Sequence, residues 1–258
     1  MHPEILGLSS YFTMWALAAA VGVTIALRQA TRDGIPARTA IALIVAVAIL
    51  VVVGAKGQAL LQQAIFGRPA IGVNADPASN VVTHGFQVPG GVALVFLLLP
   101  LACALAGVST RGVADAVVPA LCAALAVARF GCFLNGCCFG TVTALPWAVR
   151  FPPMSPAFEW HFHSRWITDQ ATTSLPVHPL QLYFVALCAG LYLVGRQSLR
   201  NRRWMGFAGL ATGAGYFGGT FGLELLRQER IHLNLLVTAV GFLVVLASFT
   251  LTARHQAR

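Results

Sequence analysis

Seven apolar runs, separated by more polar stretches, leave this chain few ways to fold. They fall near Tyr11–Leu27, Thr39–Ala55, Val88–Val108, Val113–Phe130, Gln181–Gly195, Met205–Leu226 and Leu233–Leu251, with the run at Gln181–Gly195 the shortest. An α-helix rises about 1.5 Å per residue and needs about 20 apolar residues to cross hydrocarbon. Lipid offers backbone groups no hydrogen bonds, so runs of this kind must be helical. The expectation is an all-α polytopic membrane protein with seven transmembrane helices, residues 1–258 forming a single transmembrane domain. A mean hydropathy of +0.76 and a charged fraction of only 10% agree with a chain solvated mainly by lipid. The first run lacks a basic leader and a small-residue cleavage site, which predicts a retained helix rather than a signal peptide.

The arginines predict an orientation. With the N-terminus outside and the C-terminus cytoplasmic, Arg28, Arg32, Arg38, Arg111, Arg196, Arg200, Arg202, Arg203, Arg254 and Arg258 all fall inside, ten of the 17 basic residues. The remaining Lys56, Arg68, Arg129, Arg150, Arg165, Arg227 and Arg230 lie in or near the outer half, where topology gives no reason for them. The net charge of +9 is spread over short loops without a nucleic-acid motif, so it is read as topology and anionic headgroups, with no nucleic-acid partner.

Within this frame, Ala128–Gly140 (ARFGCFLNGCCFG) concentrates chemistry. Arg129 follows an uncharged stretch from Ala116 to Val127, and an ionisable group at that depth is a candidate functional residue. If the helix continues, Arg129, Cys132, Gly136 and Gly140 share one face. That face serves either close helix packing or an anionic ligand against the guanidinium. Cys103, Cys122 and Cys188 lie inside apolar runs as small core residues. Cys132, Cys137 and Cys138 are grouped as C-x4-C-C, which is not the spacing of a structural zinc pair, so no metal is assigned. A disulfide in an oxidising compartment and simple packing are the readings kept for them.

Other polar residues gather toward the same side. Lys56 stands between glycines, Gly67–Val88 forms a polar loop, and Pro89 with Gly90 and Gly91 opens the third helix. Residues at about 141–179 form a long loop holding PWAVRFPP, Trp160, His161, His163, Arg165 and Trp166, which predicts a structured extracytoplasmic cap. An extended H-x-H would point His161 and His163 to the same side, and surface or headgroup contact is the reading preferred for them. Glu224 and Arg227 stand three residues apart and are expected to pair.

These residues resemble a known family, prolipoprotein diacylglyceryl transferase. Its signature Gly-Arg-x-Gly-Asn-Phe-x-Asn-x-Glu-x-x-Gly aligns with Ala128–Gly140. His2-Pro3, Asp115 with Pro119, the run His178-Pro179-Leu180-Gln181-Leu182-Tyr183, and Tyr216, Glu224, Arg227 and Gln228 are also similar. The resemblance implies a bacterial inner-membrane enzyme, without cofactors, that moves diacylglycerol from a phosphatidylglycerol-like phospholipid to the cysteine thiol of a prolipoprotein or other thiol acceptor. On it, Arg129, His84 and His178 are the catalytic candidates. Asn135, Gly140, Gln181, Tyr183, Glu224, Arg227, Lys56, Gly90 and Gly91 are the substrate-binding candidates, and Cys132, Cys137 and Cys138 the possible thiols. The chain departs from the family pattern at Pro89 (a histidine there), Thr220 (an arginine), Cys132 (asparagine), Cys137 (glutamate) and, approximately, Trp15 (a tyrosine). Two alternatives therefore stay open: a related lipid transferase or thiol-using membrane enzyme relying on Cys132, Cys137 and Cys138, and a non-catalytic lipid-binding protein.

Overall fold

A computed structural model describes residues 4–5, 8–66, 87–201, 203–228 and 232–256. His84, the polar residues Asn74, Asp76 and Asn80, and His2 and Pro3 lie outside the described residues. Two strands of two residues each, β1 (Glu4–Ile5) antiparallel to β2 (Leu8–Ser9), precede helix α1 (Ser10–Arg32). Then follow α2 (Ala37–Phe66), α3 (Val88–Leu105), α4 (Thr110–Asn135), α5 (Pro156–His163), α6 (Leu180–Arg200), α7 (Phe207–Glu224) and α8 (His232–Gln256).

Six of these helices, α1, α2, α3, α4, α6 and α8, are long and apolar enough to cross a membrane. The sequence expects a seventh crossing at α7. Its 18 residues include many glycines and end on Glu224, which dilutes its apolar character. The dilution has a packing reason: α7 is bordered by α4, α6 and α8, so much of its surface meets protein rather than lipid. Outward-facing Val45, Ile49, Leu97, Leu101, Leu193, Leu236 and Leu243 give the bundle the exposed apolar surface that lipid would cover.

The centre of the bundle is α4, 61% buried over its apolar window against at most 39% for the other five candidate spans. Helices α1, α6 and α7 pack around it. Small residues set how closely they approach, because interhelical contact in lipid depends on van der Waals fit. A Cβ at Gly131 would lie 2.7 Å from the Met14 Cβ of α1, and one at Gly195 would lie 2.7 Å from the Pro119 Cβ of α4. At one end, Gly34 (φ 82°) and Pro36 make the tight turn expected between α1 and α2, and the buried Asp115 carboxylate accepts the backbone N–H groups of Gly206 and Gly209 at 2.8 Å each. Those two bonds satisfy donors that the first turn of α7 would otherwise leave orphaned.

The opposite end carries the cap. Residues Gly140 to Pro179 form α5, isolated bridges of Val142 and Val149 with Val177, and a small core of Phe139, Phe151, Ala157 and Val177. Ser155 begins α5 by accepting the Phe158 N–H, with Pro156 behind it. Because this stretch is helical, His161 and His163 do not share a side as an extended segment would place them. His161 is fully buried between Trp160 and Trp166, while His163 is exposed, 3.5 Å from Glu159.

Candidate functional site

Helix α4 ends at Asn135, six residues after Arg129. Gly136, at φ 75°, is the left-handed C-cap, and the Cys137 N–H bonds the Cys132 carbonyl at 3.1 Å. The single face that continued helix would give Arg129, Cys132, Gly136 and Gly140 is therefore broken at Gly136. Gly140 instead enters a bridge with Arg227 while its N–H bonds the His178 carbonyl at 3.0 Å. A Cβ on Gly140 would stand 2.7 Å from the His178 Cβ and 2.9 Å from the Leu226 carbonyl oxygen, so only glycine fits where three chain segments cross.

Arg129 is 6% exposed, and its guanidinium lies over the Phe184 ring of α6, 4.4 Å from the centroid. It makes no hydrogen bond or ion pair among the described residues; Cys132, Cys138, Tyr216 and Arg227 are its ionisable neighbours. Phe184 recovers part of the lost hydration through cation–π attraction, but a buried charge of this kind normally carries an anion. The Tyr216 hydroxyl and the Asn135 amide nitrogen are also buried without partners among the described residues.

Beside it lies a closed polar network. Arg227 donates to Glu224 from Nε at 2.7 Å and from Nη2 at 2.8 Å, the expected pair in bidentate form. Asn234 of α8 donates to the same carboxylate at 3.1 Å, and Gln58 of α2 donates to Asn234 at 2.6 Å. Sequence reading missed Gln58 and Asn234. The signal for both was a polar side chain inside an apolar run, but it stopped at Lys56, two residues from Gln58; Lys56 itself is half-buried on α2. Gly90 and Gly91 face α2 rather than open space: a Cβ on Gly90 would meet the Gln58 Cβ at 2.6 Å, and one on Gly91 the Val51 carbonyl at 2.5 Å.

From α6, buried Gln181 donates to the Cys137 carbonyl at 2.5 Å. Tyr183 accepts the Trp147 indole N–H at 2.7 Å, and its hydroxyl lies 3.2 Å from His178 Nδ1. His178 is thus oriented by Tyr183 and by a backbone locked to Gly140 and Thr141. The fold brings Arg129, the three grouped cysteines, Gln181, Glu224 and Arg227 to one end of the bundle, with His178 and Tyr183 at the border of the cap.

Together these features define a multi-pass helical membrane protein with a buried arginine over Phe184 beneath a folded cap. The chain belongs to the prolipoprotein diacylglyceryl transferase family, whose sequence profile matches residues 4–253. It is 32% identical over 164 residues to a phosphatidylglycerol–prolipoprotein diacylglyceryl transferase of Vibrio vulnificus, covering 62% of this chain and 54% of that protein. A protein of the same name from Bordetella avium is 30% identical over 185 residues, 67% of this chain and 63% of the relative. The match to the Synechococcus elongatus protein of that name is 28% over 257 residues, spanning 95% of this chain and 81% of the relative. The chain thus spans about half the length of the Vibrio relative it matches and most of the Synechococcus one.

Proposed function

We propose that this protein is a diacylglyceryl transferase that takes diacylglycerol from a phosphatidylglycerol-like lipid and attaches it to the cysteine thiol of a prolipoprotein. The observation that carries this reading is the buried guanidinium of Arg129 with no anionic partner among the described residues, in a chain of this family. A lipid phosphate supplies the missing charge, and a fixed guanidinium stabilises it further as it leaves. The acceptor sulfur forms a bond to the glycerol carbon, the carbon–oxygen bond breaks, and glycerol phosphate departs with the electron pair. An ordinary cysteine, with a pKa of about 8.5, is mostly protonated at neutral pH, so the step needs a base. His178, held by Tyr183, is the base assigned here; His84 is the second candidate. Asn135, Gly140, Gln181, Tyr183 and the Glu224–Arg227 pair shape the wall around the headgroup, with Lys56 on its α2 side, while Gly90 and Gly91 serve by letting α3 pack closely against α2.

In the same reading α7 is the seventh crossing, the N-terminus lies outside, the C-terminus is cytoplasmic, the whole chain is one transmembrane domain, and the cap faces the outer leaflet of a bacterial inner membrane. The described arginines support it: Arg28, Arg32, Arg38, Arg111, Arg196 and Arg200 all lie at the helix ends away from the cap. The test is direct. Purified protein incubated with phosphatidylglycerol and a lipobox cysteine peptide raises the peptide mass by one diacylglyceryl group; no mass shift, with a family member active in parallel, overturns the reading.

A further inference from the structure

Three of the six cysteines converge although their spacing gives no sign of it. Cys132 lies on the last turn of α4, Gly136 turns the chain out of the helix, and Cys138 adopts φ 59°, a left-handed conformation strained for a residue with a Cβ. The turn folds back until the three sulfur atoms lie within 4.8 Å of one another. All three are free thiols; Cys132 and Cys137 are buried and Cys138 is partly exposed. Gln181 clamps the Cys137 carbonyl from α6, so two helices brace the cluster.

A disulfide would use two of these sulfurs and leave the third without a purpose, and packing alone would not gather them through a strained turn. A tetrahedral cation uses all three. Thiolates bound to zinc at about 2.3 Å stand about 3.8 Å apart, within small side-chain rotations of the observed group. An all-sulfur set selects a soft cation. Three thiolates around a divalent ion carry one net negative charge, and Arg129, adjoining Cys132 and Cys138, is a cation placed to tolerate it. Its five N–H donors leave another edge for a phosphate.

We propose that Cys132, Cys137 and Cys138 form a three-thiolate site for a divalent d10 cation, zinc in the simplest case, whose open fourth position receives a substrate thiol. No further His, Cys, Asp or Glu joins the group among the described residues, and zinc sites that take part in chemistry keep such a vacancy in their ligand set. The last step rests on the transferase reading. The acceptor cysteine gives its proton to His178 on binding, because a coordinating thiol is deprotonated. Its sulfur then forms the bond to the glycerol carbon, and glycerol phosphate leaves with the electron pair of the broken carbon–oxygen bond.

Full-length protein, purified in detergent with reductant and stripped with a chelator, is titrated with zinc(II) alone and with cobalt(II) alone. One metal per chain is expected, with sulfur-to-cobalt charge-transfer absorption. Cys132→Ser and Cys138→Ser each weaken binding by about a hundredfold or more, whereas Cys122→Ser and Cys188→Ser leave it unchanged. Zinc also shields the three cysteines of the unsubstituted protein from maleimide, counted by mass spectrometry, which needs no variant to fold. Adding the lipobox peptide alters the cobalt spectrum, and its Cys-to-Ser counterpart does not. Absence of a sulfur charge-transfer band, equal binding by the Cys132→Ser/Cys138→Ser double variant, or a Cys132–Cys137 disulfide in protein isolated without reductant overturns the site. A spectrum unmoved by peptide overturns the fourth position alone. Full-rate lipidation by stripped protein overturns the metal's role and leaves the transferase reading standing, while a metal-binding protein that lipidates nothing separates the two in the other direction.

Discussion

Arg129 and Arg227 lie near each other yet meet their charge in different ways, and single substitutions separate them. Arg227 has Glu224, so Glu224→Gln leaves a buried guanidinium uncompensated and is predicted to cost about 3–5 kcal/mol. Thermal unfolding in detergent checks it; a loss under about 1 kcal/mol would mean water reaches the pair. Arg129 has no anionic partner among the described residues, and in the proposed headgroup role a lysine cannot reproduce the planar fork. Arg129→Lys is therefore predicted to lower kcat/KM for peptide lipidation by about a hundredfold or more with little loss of stability. His161 gives a pH prediction. Both its ring nitrogens are buried without partners among the described residues, and burial pushes its pKa down. The folded cap thus binds fewer protons than the unfolded one: its stability is complete above the unfolded value of about 6.5 and falls as pH drops toward the lowered folded value. Trp160 and Trp166 flank the ring, so their fluorescence should report cap loosening on acidification, and His161→Phe should flatten that response.

The elements show where a one-dimensional pattern stops being informative. Periodicity and apolarity marked the spans well, and α6 runs to Arg200, past the Gly195 at which its apolar pattern ends, because Arg196 and Arg200 sit at an end where their side chains leave the bundle. The cap was legible as ordered from its aromatic content but not as helical, since eight residues give too short a window for a period to register. Asp115 lies five residues inside α4, where it caps α7, a role that no pattern along α4 itself shows. Asp115→Ala removes the acceptor for two buried N–H groups and is predicted to destabilise the protein by about 1–3 kcal/mol per orphaned donor at most. Hydrogen exchange should place the loss at the first turn of α7; uniform exchange across the bundle would contradict a local cap.

For the molecule as a whole, the arginine-rich ends and the cap lie at opposite poles of the bundle. Alkaline phosphatase fused after Arg258 is predicted to be inactive, and the same reporter inserted after Asp169 in the exposed part of the cap to be active. The reverse pattern would invert the proposed orientation and remove the cap from the outer leaflet.

The sequence alone determined that this chain is a helical membrane protein, where most of its long helices begin, and that Arg129 stands at the end of an uncharged apolar run. Those properties follow from the local match between apolar run length and bilayer thickness and from the cost of a charge within such a run. Only the tertiary structure decided that Gly136 ends α4 and folds Cys137 and Cys138 back onto Cys132. It also decided that Gln58 and Asn234 complete the Glu224–Arg227 network and that Gly90 and Gly91 meet α2. Each of these depends on one left-handed residue or on residues as much as 176 positions apart, and no periodicity along the chain encodes such contacts.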